Sequence, residues 1–339
     1  MISMNIFKNS AFSAVAMSGY VQKMDTVPQL LGSLGIFDPM PVRTRDIFVD
    51  RTEGNITLIP TSPDGAPPEA LNKTGRDVVA LKTTRLAKKF TLYASELQGI
   101  RASGSESELM QVQAEINTRT VRLNADMELT KEHHRLGALQ GVLLDADGTT
   151  VIYDYRDLFD EVIPAATNFA LGTATTDVHQ KCKDITRSMA RSGKGSLAGA
   201  SVHSIAGDEF YDALTSHPNV EKFYLNQAAA RDLQAEQGKI FESFRLGNIT
   251  FHNYQGTDDN STVAVPTASA KFFPIGGRDV FTAAHSPLDT MGLVNTLGQE
   301  KYMMMIPDEK RDMFVEGELY SFPLHVCQQP RLLRNGTVS

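Results

Sequence analysis

The chain has 339 residues, 41% of them hydrophobic and 22% charged, which is enough for one large core or two domains. A net charge of −7 excludes a protein that grips nucleic acid by broad phosphate neutralisation. No run nears the roughly 18 apolar residues that cross a bilayer, and two cysteines, Cys182 and Cys327, make neither a disulfide framework nor a C-x-x-C zinc site.

The run Ala11–Val21 is short and broken by serines, so it is not read as a signal peptide. With two free thiols, this predicts a soluble chain made in a reducing cytoplasm, where the sequons at Asn55, Asn72, Asn248, Asn260 and Asn335 stay bare. Residues 1–45 read as an arm: Gln29–Phe37 has apolar residues, but Pro28, Gly32, Gly35, Pro39 and Pro41 break any long element. Such an arm must bury its leucines against something else, such as a neighbouring chain. DIFVDRT (Asp46–Thr52) and NITLIP (Asn55–Pro60) alternate around Glu53-Gly54, which predicts a hairpin. A turn-rich stretch, residues 61–77, leads into the β-favouring Val78–Leu92 with its basic residues Lys82, Arg85, Lys88 and Lys89. Residues 46–93 thus form a long excursion of the kind that reaches a partner.

Ser105-Glu106-Ser107-Glu108 is a capping box, and neither Gly nor Pro interrupts the chain from there to Leu136. Leu109, Val112, Ile116, Leu123 and Met127 recur at helical spacing, with Gly137 as the expected stop. After Gly141, Ala146-Asp147-Gly148 reads as a turn between strands VLLD and TTVIYD. Helices are predicted near Asp177–Arg191 and Ala206–Ser216, and strands over Arg245–Gly256, Lys271–Gly276, Lys301–Pro307 and Gly317–Val326. Met303-Met304-Met305 is strand core rather than a metal patch. Without regular βαβ alternation, the class is α+β.

The sequence offers several chemistries. Asp145-Ala146-Asp147-Gly148-Thr149 after an apolar run resembles the nucleophile loop of haloacid dehalogenase-like phosphatases, in which two aspartates and Mg²⁺ move a phosphoryl group. Asp258-Asp259 would be its second metal anchor and Lys194 or Lys271 its cation. That loop belongs after the first strand of a doubly wound domain, whereas here it follows a long helix and runs into another strand. A calcium loop fails because Thr149 stands where a ligand is needed and no glutamate closes the pattern. Ser192–Ser196 fails as a phosphate loop, with Ser188 and Gly195 at its two defining positions. Glu128, Glu132, His133 and His134 lack the H-E-x-x-H order, and their helix face is expected to be solvated or to face a subunit. The residues yield no catalytic, cofactor or metal site.

Glu128–Gly148, ELTKEHHRLGALQGVLLDADG, resembles the signature of the major capsid protein E family of lambda-like tailed phages. The likeness rests on Thr130, Glu132, Gly137, Ala138, Gly141, Asp145, Asp147 and Gly148. It continues in order through Gly65–Pro68, Ile100–Ser105, Phe210–Tyr224, Phe244–Gly256, Ser286–Tyr302 and Pro323–Leu333. The family usually carries a tyrosine or other bulky residue where His133 or His134 stands. The resemblance implies a Hong Kong 97-type fold whose copies tile hexamers and pentamers of an icosahedral shell around double-stranded DNA.

In that fold residues 1–45 are the arm and 46–93 the extended loop over a neighbour. Residues 94–175 are the peripheral domain with spine helix 104–137, residues 176–308 the axial domain, and residues 309–339 the return to the peripheral domain. Lys82, Arg85, Lys88 and Lys89 would meet acidic residues of the adjacent subunit, and Gly54, Gly65 and Gly75 would let the loop change angle between pentamers and hexamers. A scaffolding protein, portal, maturation protease and decoration protein are the other partners such a shell can take. No cofactor is implied. A nanocompartment of the same fold, enclosing an enzyme, is the alternative.

Overall fold

In a computed structural model the protein is described over residues 13–23, 29–52, 76–98, 108–222, 243–256, 263–311 and 313–339. The chain begins with helices α1 (Ala14–Gln22) and α2 (Leu30–Ser33), then strands β1 (Asp38–Pro41), β2 (Asp46–Thr52), β3 (Arg76–Lys82) and β4 (Leu86–Tyr93). A short α3 (Ala94–Gln98) precedes the 33-residue α4 (Glu108–Gln140), about 50 Å long at 1.5 Å per residue. The hairpin β5 (Val142–Leu144) and β6 (Val151–Asp154) follows, then α5 (Tyr155–Leu158) and β7 (Thr167–Asn168). Next come α6 (Val178–Gly193), β8 (Ser201–Ala206), α7 (Asp208–Thr215), β9 (Ser243–Leu246), β10 (Ile249–Asn253), β11 (Ser269–Ile275) and β12 (Phe281–His285). Strands β13 (Tyr302–Pro307), β14 (Phe314–Ser321), β15 (Pro323–Cys327) and β16 (Arg334–Thr337) close the chain.

Three sheets organise the body. One has the order β7-β16-β11-β8-β10-β9, and the other two are β13-β14-β4 and β1-β12-β15. Helix α6 lays Val178, Cys182, Ile185 and Met189 into the core of the first sheet, beside Phe210, Phe251 and Phe272. Its Asp177 cap accepts from Gln180 N–H (2.9 Å). Strands β9 and β10 turn at Gly247 and Asn248, both with positive φ, the pairing that a tight two-residue hairpin requires. Helix α4 buries Val112, Ile116, Leu123 and Met127 against the β13-β14-β4 sheet and α1, while Leu136 and Leu139 enter the main core.

Several expectations change. Helix α4 does not stop at Gly137. A Cβ there would sit 2.8 Å from the Val142 carbonyl, so the glycine serves the close approach of β5, and the turn falls to Gly141 at φ +82°. Strand β2 pairs antiparallel with β3, Asp46 opposite Lys82 and Thr52 opposite Arg76, while the expected hairpin partner, 55–60, lies outside the described residues.

The 46–93 excursion also divides. Its ribbon ends at Lys82, and β4 then joins the body by pairing with β14 along its whole length. Gly317 makes room for this, since a Cβ would lie 2.3 Å from the Phe90 ring. The expected arm packs on its own chain. Leu30, Leu31 and Ile36 are buried in the main core, β1 runs parallel to β12, and Met17 and Val21 of α1 pack with Met303 of β13. The Met303 N–H donates to Ser18 Oγ (3.0 Å).

Of the returning C-terminal strands, β14 lies beside β4, but β16 goes to the six-stranded sheet between β7 and β11. Two features place it there. Gly336 fits between the Phe169 and Phe272 rings, and the buried Arg334 guanidinium donates to Ser188 O and Oγ and to Ser192 Oγ on α6. Gly54, Gly65, Gly75 and Asp258-Asp259 lie outside the described residues.

Candidate assembly surface

The four basic residues singled out in the sequence sit on β3, β4 and the bend between them. Strand alternation sends them to different faces. Lys88 pairs with Asp126 on α4 (2.5 Å), and Lys89 pairs with Glu316 on β14 (2.8 Å). Arg85 lies over the Tyr320 ring at 5.2 Å, and the Lys82 side chain is exposed at the ribbon root. The backbone of Lys82 is fixed there, its N–H donating to Tyr153 Oη (2.9 Å). Arg85, Ala87, Lys88, Lys89, Glu318 and Tyr320 line one open groove of about 180 Å³. The Lys88 and Lys89 bridges are solvent-exposed and therefore weak, so an incoming carboxylate can exchange with them cheaply.

The ribbon carries a second surface. Ile47, Val49 and Leu81 face the chain's own core, which leaves the alternate row outside. Phe48 is 67% exposed and Val78 52%.

The last turns of α4 overturn an expectation, because Glu128, Glu132 and His134 are buried rather than solvated. Glu128 takes Lys301 Nζ at 2.6 Å and Lys131 Nζ at 3.3 Å; Lys131 reaches Glu300 at 2.9 Å. Glu132 accepts the Leu31 N–H (2.8 Å) and Gly32 N–H (3.2 Å), so it caps α2, and it pairs with Arg135 (3.4 Å). Glu128, Glu132 and Glu300 balance Lys131, Arg135 and Lys301, which is how a buried charge cluster is tolerated. Burial opposes ionisation of Glu128, but Lys131 and Lys301 outweigh it and hold the carboxyl below its usual range. Burial pushes Glu132 up, and burial pushes Lys131 down. His134 and His285 are lowered by burial to about 4, with neighbouring positive charge adding to it. His325 is also lowered, by burial and then by Arg135. Arg135, Glu300 and Lys301 were not picked out from the sequence.

The remaining motifs resolve into structure. Asp147 accepts from Thr150 Oγ1 (2.6 Å), Thr150 N–H (2.8 Å) and Thr149 N–H (2.9 Å), which hold its carboxyl well below the usual range. Asp145 accepts from Ala146 N–H (2.8 Å), so both aspartates build the β5–β6 turn. Lys194 is the left-handed cap of α6, and Ser196 N–H donates back to Gly193 O (2.8 Å). Lys271 sits in β11 within the six-stranded sheet, its ammonium disfavoured by burial. Cys182 and Cys327 are free and buried, and burial pushes the Cys182 thiol up to about 12. Among the described residues no three His, Cys, Asp or Glu side chains are grouped to hold a metal, and no helix is long and apolar enough to cross a membrane.

The sequence profile of phage major capsid protein E matches residues 13–338. The chain belongs to that family. The major capsid protein of Salmonella phage Felix O1 is 23% identical to it over 96% of each chain. The crystal structure of a protein assigned as the capsid protein of a prophage in E. coli CFT073 superposes with a TM-score of 0.56 at 13% identity, covering 96% of this chain and 99% of that one. The capsid structure of cyanophage P-SCSP1u gives 0.53 at 7% identity, covering 93% and 89%. The fold is the Hong Kong 97-type capsid fold, and the chain is the major capsid protein of a tailed phage, a structural protein of the virion that assembles into a multimeric shell. This match goes to the phage shell rather than to a nanocompartment.

Proposed function

We propose that copies of this capsid protein tile hexamers and pentamers of an icosahedral shell around double-stranded DNA, each copy laying its β2–β3 ribbon on a neighbour. The observation that carries this reading is the ribbon's uncovered outer row, Phe48 and Val78, on a strand pair whose inner row is fixed in the body. Apolar area held out in this way is a liability in a lone subunit and a contact in a lattice, worth about 25 cal/mol per Å² covered before entropic costs.

In this reading residues 46–82 are the part of the extended loop that reaches the neighbour, and α4 is the spine of the peripheral domain. The six-stranded sheet with α6 and α7 is the axial domain, completed by β16. The groove beside Arg85, Lys88 and Lys89 receives acidic residues of an adjacent copy, with Lys82 at its approach. Such rim charges set register more than affinity. The chain is made and assembled in the host cytoplasm, and a scaffolding protein, portal, maturation protease and decoration protein complete the particle. The −7 net charge suits a container that must release its DNA.

The double variant Lys88→Glu, Lys89→Glu gives a folded subunit with a modestly lower unfolding midpoint, because it trades two exposed bridges for like-charge neighbours, Asp126 on α4 and Glu316 and Glu318 on β14. Its particle yield, counted by electron microscopy, falls sharply. Wild-type yield from that variant would remove the groove from the interface.

A further inference from the structure

The connection from β12 to β13, residues 286–301, is anchored at both ends. At its start, Ser286 Oγ donates to Thr44 O (2.8 Å) and accepts from Thr83 Oγ1 (3.0 Å), which ties the loop to the root of the β2–β3 ribbon. Asp289 pairs with Arg45 at 3.2 Å. Leu288 is buried with Tyr302 and Phe322, and Leu293 packs against them. At its end, Gly298 N–H donates to Val42 O (2.8 Å) and Gln299 N–H to Tyr302 Oη (2.6 Å). Gly298 leaves no latitude, since a Cβ there would lie 1.9 Å from the His285 carbonyl.

Between these anchors the backbone is wound tightly. Leu293 and Val294 N–H both donate to Thr290 O (3.0 and 3.1 Å), and Asn295 takes φ +60°, a conformation asparagine tolerates better than most residues.

What this scaffold holds out is apolar. Met291 is 99% exposed, Leu297 55% and Val294 53%. A surface loop under no demand is polar, and a slack one folds its apolar groups away. Here the loop fixes them outward, so the ordering cost of a contact is met in advance. The exposed polar residues Asp289, Asn295, Thr296 and Gln299 alternate with them along the loop. Methionine at the tip adapts its shape to a partner. The occupant follows from two facts. The family builds a shell from many copies of one chain, and the loop shares its footing, Arg45, Ser286 and Thr83, with the ribbon whose Phe48 and Val78 face outward. One neighbour placed on the ribbon root meets both.

We infer that the loop 288–298 is a docking point for a second copy of this chain, with Met291, Val294 and Leu297 seated on the neighbour. This rests on the shell reading.

The test begins with Met291→Cys, labelled with a maleimide-benzophenone on the free subunit, where Met291 is 99% exposed, and then co-assembled into particles with excess unlabelled wild-type chain. Cys182 and Cys327 are fully buried, so the label goes to position 291. Illumination gives bands at multiples of the 37.2 kDa chain. The variant Met291→Asp, Val294→Asp, Leu297→Asp keeps the wild-type circular dichroism and unfolding midpoint but loses particle formation. Normal particles from that triple variant overturn the inference, as do cross-links only to a protein of another mass or none at all. If the wild-type chain forms no particles under the same conditions, the shell reading itself fails and takes the inference with it.

Discussion

Replacing Glu128 with methionine destabilises the subunit by about 3–5 kcal/mol, the usual cost of leaving a buried charge without its partner. Glu128 is the acceptor shared by Lys131, which is fully buried, and Lys301, which is 5% exposed. Without it the mutually repelling Lys131 and Lys301 are left with the half-exposed Glu300 as their nearby carboxylate. The double variant Glu128→Met, Lys131→Met recovers most of the loss. It removes one charge of each sign and leaves Glu132 with Arg135 and Glu300 with Lys301 in balance. Denaturant unfolding of the three proteins checks this. Equal destabilisation in the single and double variants would mean that packing, not charge balance, sets the cost.

Acid weakens the fold over a defined window. An unfolded chain protonates His134 and His285 near pH 6.5, whereas the folded chain keeps both neutral down to about 4. Stability is therefore complete above about pH 6.5 and falls as pH drops toward 4, by about 3 kcal/mol for each ring. His325, lowered as well, acts in the same direction. Glu300, held at about 2 against its burial by Lys131, and Glu128 extend the loss below pH 4.5. Glu132 opposes it, because burial raises its carboxyl and the folded chain binds that proton more tightly. Unfolding midpoints at pH 7 and pH 5 read the balance, with a lower midpoint at pH 5 and a shallower dependence in His285→Gln. A flat profile would show that water reaches these rings.

Much of the architecture was legible in the sequence where one physical signal acted alone. Helix α6 was predicted to within about two residues because its cap, Asp177, and its apolar spacing agree. The β5–β6 hairpin was legible because Asp147 and Gly148 have few other uses there. Sequence reading was less successful where two demands met at one residue. Gly137 looked like a helix stop, but its missing side chain serves the approach of Val142.

The pairing of β2 with β3 was not legible because residues 53–75, with their turn-rich stretch, separate the two strands and no local turn signal joins them. The final strand β16 could not be placed because its position depends on Ser188 and Ser192, about 145 residues earlier. The buried charges did leave a trace. Extending the apolar stripe Val112, Ile116, Leu123, Met127 at helical spacing lands on Thr120, Lys131 and His134, all buried. Composition argued for a solvated face there, while periodicity pointed to the core.

The central claim is that this chain is completed by its neighbours in the shell. A cryo-electron microscopy map of assembled particles tests it most directly. The account predicts Phe48 and Val78 of every ribbon covered by another copy, in pentamers and hexamers alike. A shell whose ribbons leave both residues facing solvent, with subunits joined only through the body, would contradict it.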